Sequence, residues 1–344
     1  MTASSLLGTD LPLQVAFDAA LVDLDGVAYR GPHAIPSAPP ALAAARAAGM
    51  RVVFVTNNAS REPGTVADHL SELGMPTDTD EVMTAAQAAA ALMLETLAPG
   101  STVYVVGGAG LRTAVTEAGY VIVDSAEAKP DAVVQGFSPD VSWKELAEAS
   151  YAINAGARFF ASNKDLTIPN DRGTAPGNGS LVNVVVAATG VNPPGAGKPE
   201  PAMFRLAAAK ADAERPLVVG DRLDTDLKGA RAAGYPGLQV LTGVDGVRDA
   251  ILAPPEHRPS FLGLDLSALA FSHPAPTRHG DRWTVGSATS WVAGGRLHLE
   301  VDGTGTADGL DPARAACAAA WATADYGREV DVETLPDLAV PSDS

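Results

Sequence analysis

Three short apolar runs, ALVDLDGV (residues 20–27), VVFVTNN (52–58) and LVVGDRLDTD (217–226), each give way to polar residues. Aliphatic, largely β-branched runs bounded by Gly, Asn or Asp predict buried strands that stop at polar tips. Between such strands a second pattern recurs. AAARAAGMRVVFV, TEAGYVIV, NAGARFFAS and GARAAGYPGLQVL each pass from a helix-like segment through Gly into an apolar strand. Glycine accepts the left-handed conformation that closes a helix, so Gly49, Gly119, Gly156 and Gly234 are expected helix stops. Four such joints predict a repeated α/β winding. In an open parallel sheet, ligands sit outside the carboxyl ends of the strands, so polar tips far apart in sequence can meet there.

The same grammar predicts a helix over residues 60–74, with Ser60 as N-cap, Pro63 in the first turn and Gly74 as the stop. The stretch 84–193 has its own strands (VYVVG, AVVQGF, ARFFASN) and is long enough to be an inserted domain. Within it, NKDLTIPNDRGTAPGNGS (163–180) carries the Asn, Asp, Gly and Pro of a shaped loop, with Ser180 expected to cap the helix LVNVVVAATG. HPAPTRHGD (273–281) reads as a linker. Beyond it lie a hairpin, WTVGSATSWVAGGRLHLEV, turning at Gly294 and Gly295, and a helix from Asp311. The division that follows is 1–83 and 194–272 for one core, 84–193 for the insert and 273–344 for the linker and a small C-terminal α+β unit.

The 344 residues suffice for two or three domains. A formal charge of −17 argues against nucleic acid or an anionic membrane surface as partner, and requires a local cation for any anionic substrate. With Cys317 as the one cysteine, no intrachain disulfide or four-cysteine metal knuckle can form. The first basic residue is Arg30 and no apolar run reaches membrane-spanning length, so a cytoplasmic protein is expected.

Asp23 and Asp25 lie two apart at a strand end, and alternation puts both on one side if the strand continues. Two carboxylates 4 Å apart repel by about 4 kcal/mol at an effective dielectric of 20, so a cation is the natural compensation. Asp221 and Asp226 add two more carboxylates, against Lys198 in GKPEP. Oxygen ligands without His or Cys favour Mg²⁺. Phosphoryl transfer requires these parts: an in-line nucleophile and positive charge on the equatorial oxygens. By need, Asp23 attacks phosphorus and forms a phospho-aspartate, and Asp25 protonates the leaving alcohol and then activates water. Thr56 offers a hydroxyl and Asn57 a backbone N–H to the phosphate. Lys198 neutralises charge, and Asp221 with Asp226 holds the metal directly or through water. Asp224 is expected to be a helix N-cap.

DLDGV, VTNN, GKP and GDRLDTD, in that order, resemble the four signatures of haloacid dehalogenase (HAD) superfamily phosphatases. The insert after the second resembles the α/β cap of the NagD-like branch, and the likeness runs from about residue 18 to 269. It implies a Rossmann-like HAD core with a parallel sheet, an inserted cap, Asp23 as nucleophile, Asp25 as acid/base, and Asp23, the Asp25 carbonyl and Asp221 as metal ligands. The family's cap-loop features match Asn163, Asp165 and Pro176 to Ser180, which makes Asn163 and Asp165 candidate substrate-binding residues. Lys164 stands where the family commonly has Pro. Relatives with such a cap hydrolyse small phosphomonoesters, and glycerol 3-phosphate or 2-phosphoglycolate is the favoured substrate here.

Two other readings compete. One is a phosphatase-like binding or regulatory module whose working part is the C-terminal unit. The other is a dinucleotide oxidoreductase built on Gly108 and Gly110 in VYVVGGAGLRTAV, although Thr113 replaces the third glycine of that fingerprint. Arg278-His279-Gly280 looks like a phosphohistidine motif but does not follow an expected strand. Cys317, in an Ala-rich helix, is expected to be a packing residue rather than a nucleophile. The tail 277–344 lacks a glycine-rich pyrophosphate loop, so it is assigned a structural or dimerisation role, a homodimer being one assembly open to the chain. Its deletion is expected to leave the chemistry intact.

Overall fold

The computed structural model describes residues 5–170, 172–303, 305–306, 308–335 and 338. The chain divides into two compact units, one formed by residues 1–52 and 211–344 and the other by 53–210.

In the first unit, four parallel strands lie in the order Phe261–Gly263, Gly237–Val240, Pro216–Gly220, Ala19–Val22. All are buried along their length, as parallel strands covered on both faces should be, and as their unbroken apolar runs foretold. Gly49 and Gly234 stop helices at φ +93° and +85°, the positive angles that favour glycine.

The C-terminal segment of this unit is more than a hairpin. Strands Thr277–His279, Arg282–Val285, Ala288–Ala293 and Arg296–Val301 form a four-stranded antiparallel sheet. Residues 277–279, expected within a linker, are its edge strand, so the linker reading of 273–281 is corrected. The turn at Gly294 and Gly295 is as expected, both with positive φ. Helix Asp311–Asp325 buries Ala316, Cys317, Ala320 and Trp321 in one cluster with Val247, Ala250, Ile251 and Leu262. Trp321 donates its indole N–H to the Ala250 carbonyl at 2.9 Å. Arg258, 1% exposed, binds both carboxylate oxygens of Asp325 at 2.8 and 3.0 Å.

The second unit is also α/β. Val82–Thr84 pairs in parallel with Phe54–Thr56. A separate parallel sheet runs Val121–Val123, Thr102–Val106, Ala132–Gln135, Arg158–Ala161, with helices Trp143–Asn154 and Asn178–Thr189 contributing to its buried cluster. The loop 163–180 contains a β-hairpin, Thr167–Asn170 with Gly173–Pro176.

Three expected caps are corrected. The helix Pro63–Glu72 starts from Glu62, because Asn58 Oδ1 accepts the N–H groups of Ser60 and Arg61 at 2.8 and 3.1 Å and holds Ser60 in a turn. Helix Asn178–Thr189 starts from Gly177, leaving Ser180 in its first turn to donate to the Leu166 carbonyl at 2.7 Å. Arg222, not Asp224, is the N-cap residue, and Asp224 pairs with it at 2.9 Å from inside a π-helical turn, Leu223–Leu227. Burial raises the Asp224 carboxyl more than any single contact lowers it, but the Arg222 hydrogen bond and charge, with the residue's own backbone N–H and the nearby His257, together leave the carboxyl below its usual range.

Candidate active site

In the first unit, strand pairing gathers carboxylates. Val22 faces Val219 across the ladder, and the Asp23 N–H continues it by donating to the Val219 carbonyl at 2.9 Å. Asp23 and Asp221 therefore leave neighbouring strands at the same edge. The turn Leu223–Leu227 then folds back so that Asp226 accepts the Arg222 N–H at 3.2 Å. Carboxylate oxygens of Asp23, Asp221 and Asp226 all lie within 4.8 Å of one another. Asp221 and Asp226 are each 1% exposed.

Backbone and glycine shape this cluster. The Val244 N–H donates to Asp221 Oδ2 at 2.7 Å. A Cβ on Gly243 would lie 1.8 Å from that oxygen, and one on Gly26 2.5 Å. Asp245, whose carboxylate accepts the Leu223 N–H at 2.6 Å, is raised above the usual carboxylate range by burial. Neither Gly243 nor Asp245 is distinguished in a chain with 34 glycines and 41 acidic residues, so sequence reasoning missed both.

The donor set fits a hard cation. Three carboxylates packed this closely, with no His or Cys among them, suit Mg²⁺. Asp25 is exposed and lies outside the set of three. The strand stops at Val22 and residues 24–29 turn, Ala28 and Tyr29 donating to the Leu24 carbonyl at 2.9 and 3.1 Å, so alternation no longer governs where Asp25 points.

In the second unit the candidate residues are joined by amides. Thr56, 4% exposed, ends its strand and accepts the Asn58 N–H at 3.1 Å. Asn57 Nδ2 donates to Asp165 Oδ2 at 2.9 Å and to the Lys198 carbonyl at 3.0 Å, while Asn57 Oδ1 accepts the Lys198 N–H at 2.7 Å. Asn163 donates to the Asn57 carbonyl at 2.7 Å and accepts the Asp165 N–H at 3.2 Å. Asn178, fully buried and not singled out by sequence, donates to the Asn163 carbonyl at 2.8 Å. Lys198 itself is 4% exposed. The structure thus assembles Asp23, Asp221 and Asp226 in one unit and Asn57, Asn163, Asp165 and Lys198 in the other.

The glycine turn read as a dinucleotide fingerprint is filled by protein. Gly108 precedes the helix Ala109–Glu117, and Gly110 donates to the Ser60 carbonyl at 3.1 Å. A Cβ on Gly110 would lie 2.2 Å from the Arg61 carbonyl oxygen. These glycines admit the 60–61 backbone where a pyrophosphate would have to approach, and the oxidoreductase reading falls. Cys317 is fully buried and its thiol is pushed up to about 12 by desolvation, which keeps it unreactive.

An α/β fold with acidic residues converging at parallel strand ends fits a metal-assisted hydrolase, and comparison supplies the class. Residues 20–121 match the family described as haloacid dehalogenase-like hydrolase, and residues 195–269 the one described as HAD-hydrolase-like. The chain belongs to the haloacid dehalogenase-like hydrolases.

Among its relatives, the D-glycerol 3-phosphate phosphatase of Mycobacterium tuberculosis is 48% identical over 252 residues, 73% of this chain and 70% of that one. The acid sugar phosphatase of Staphylococcus saprophyticus is 38% identical over 230 residues, 66% of this chain and 88% of that one. Among solved structures, the M. tuberculosis glycerol phosphate phosphatase in complex with magnesium superimposes with a TM-score of 0.83 at 42% identity, covering 90% of this chain and 92% of its own. The 4-nitrophenylphosphatase of Thermotoga maritima gives 0.69 at 30% identity, covering 75% of this chain and 98% of its own.

Proposed function

We propose that this chain is a Mg²⁺-dependent phosphomonoesterase that works through a phospho-aspartate on Asp23. The observation that carries this reading is the cluster of Asp23, Asp221 and Asp226 oxygens within 4.8 Å, in a chain of this hydrolase family. Asp23, the Asp25 carbonyl, Asp221 and Asp226 would hold the ion, Asp226 directly or through water. When bound, Mg²⁺ neutralises the carboxylates and draws charge from a phosphate oxygen.

Asp23 Oδ attacks phosphorus in line, and the ester oxygen leaves with a proton from Asp25. Asp25, now a carboxylate, takes a proton from water, whose oxygen attacks the acyl phosphate; inorganic phosphate leaves and Asp23 is regenerated. Thr56 Oγ1, the Asn57 N–H and the Lys198 ammonium serve the equatorial oxygens, and residues 84–193 act as the cap, with Asn163 and Asp165 as its candidate substrate-binding residues. That these residues act on one phosphoryl group is supported by the order of the four motifs.

The substrate is a small phosphorylated metabolite. Glycerol 3-phosphate is favoured by the 48% identity to a D-glycerol 3-phosphate phosphatase, with 2-phosphoglycolate and the sugar phosphates suggested by the acid sugar phosphatases as competitors. No helix among the described residues is long and apolar enough to cross a membrane, and a cytoplasmic setting is kept as part of this proposal.

Purified protein with Mg²⁺ should release phosphate from such esters, with kcat/KM highest for glycerol 3-phosphate. EDTA should stop turnover and Asp23→Asn should lower kcat at least about 10⁴-fold, since no other group replaces a covalent nucleophile. Full activity in Asp23→Asn would end the assignment.

A further inference from the structure

We infer that Asn57 is a positioning residue whose side chain clasps Lys198 and Asp165, so that the lysine and the strand-end phosphate donors are set by a single amide. The inference rests on the phosphatase reading above and assigns Asn57 a role beyond its backbone N–H.

A carboxamide has one acceptor oxygen and two donor hydrogens. Asn57 uses all of them: Oδ1 accepts the Lys198 N–H at 2.7 Å, and Nδ2 donates to the Lys198 carbonyl at 3.0 Å and to Asp165 Oδ2 at 2.9 Å. Two of these bonds engage the main chain of one residue reciprocally, as a neighbouring strand would. No other side chain of similar size can do this. Aspartate lacks the donors, and would face both a carbonyl and the Asp165 carboxylate; serine is too short and has one hydrogen.

The surroundings are fitted to the clasp. A Cβ on Gly197 would lie 2.5 Å from Asn57 Oδ1, so glycine in GKP admits the amide. The Gly197 N–H donates to the Ser162 carbonyl at 2.6 Å, tying the same loop to the strand that leads to Asn163. Asn163 closes the ring by donating to the Asn57 carbonyl at 2.7 Å. Lys198 and Asp165 are thereby both held by the side chain of the residue that follows Thr56, although 141 positions separate Asn57 from Lys198.

A misplacement near 1 Å costs about 10²-fold in a reaction that depends on orientation. Asn57→Ala and Asn57→Asp should therefore lower kcat for glycerol 3-phosphate by about 10²-fold with a smaller change in KM, and weaken inhibition by inorganic phosphate at least about tenfold. Asp165→Asn is measured alone and on the Asn57→Asp background, where it gives the pair a donor again; its cost in kcat should be at least about tenfold smaller in the double variant than in the single one, a non-additive result that loss of folding alone does not produce. Asn57→Asp is isosteric and serves if the alanine variant does not fold; circular dichroism and Tm are recorded for each. Wild-type kcat and phosphate inhibition in Asn57→Asp would overturn the clasp while leaving the phosphatase reading intact, and strict additivity in the double variant would also overturn it. An inactive wild-type protein would instead overturn the phosphatase reading, and this inference with it.

Discussion

Gly243 sets where the Asp221 carboxylate can lie. A side chain there would enter the volume of Asp221, 1.8 Å from Oδ2, while the next residue's N–H holds that same oxygen at 2.7 Å. Gly243→Ala should therefore rotate Asp221 out of the carboxylate cluster. We expect kcat/KM to fall by about 10²-fold and the Mg²⁺ concentration for half activity to rise at least tenfold; a Mg²⁺ titration of activity checks it, and an unchanged requirement would show that the loop yields instead. Nothing in LTGVDG separates this glycine from the others, because its constraint comes from a carboxylate 22 positions away. Asp23 and Asp221, by contrast, stand out as polar residues ending apolar runs, and Lys198 by its place in GKPEP.

At the scale of elements, the packing of helix Asp311–Asp325 argues against the expectation that the tail is dispensable. Its apolar side is buried with Val247, Ala250, Ile251 and Leu262, and Trp321 and Asp325 engage Ala250 and Arg258. Removing 277–344 would expose that surface and leave the buried Arg258 guanidinium without the Asp325 carboxylate. Truncation should yield insoluble or unfolded protein, and Trp321→Ala should cost about 3–5 kcal/mol, as large-to-small core changes do, read from denaturant unfolding. A soluble truncated protein with full activity would restore the sequence-based expectation. This packing was not legible in the sequence because Ala-rich spacing announces a helix but carries no address for the surface that receives it.

For the whole molecule, net charge is −17, and three carboxylates are gathered within 4.8 Å. Folding without a cation therefore opposes like charge at one point, and a divalent ion relieves it. By mass action, Mg²⁺ at a hundredfold its Kd should add about 2.7 kcal/mol to stability. Thermal melting with and without Mg²⁺ should show a rise in Tm that Asp221→Asn removes. An equal rise in that variant would place the ion elsewhere.

What the sequence determined by itself is local. Apolar runs specified the strands, glycines at positive φ closed the helices, and four ordered motifs named the hydrolase class, because each depends on neighbours within a few residues. The tertiary structure decided what depends on register and packing. Parallel pairing of Val22 with Val219 brought Asp23 beside Asp221, a π-helical turn returned Asp226 to them, and Asn57 spent its side chain on Lys198 and Asp165. The same packing filled the Gly108–Gly110 turn with residues 60–61 and seated the C-terminal helix on the parallel sheet's unit. Contacts between residues far apart in the chain follow from how buried surfaces fit, and no linear pattern encodes that fit.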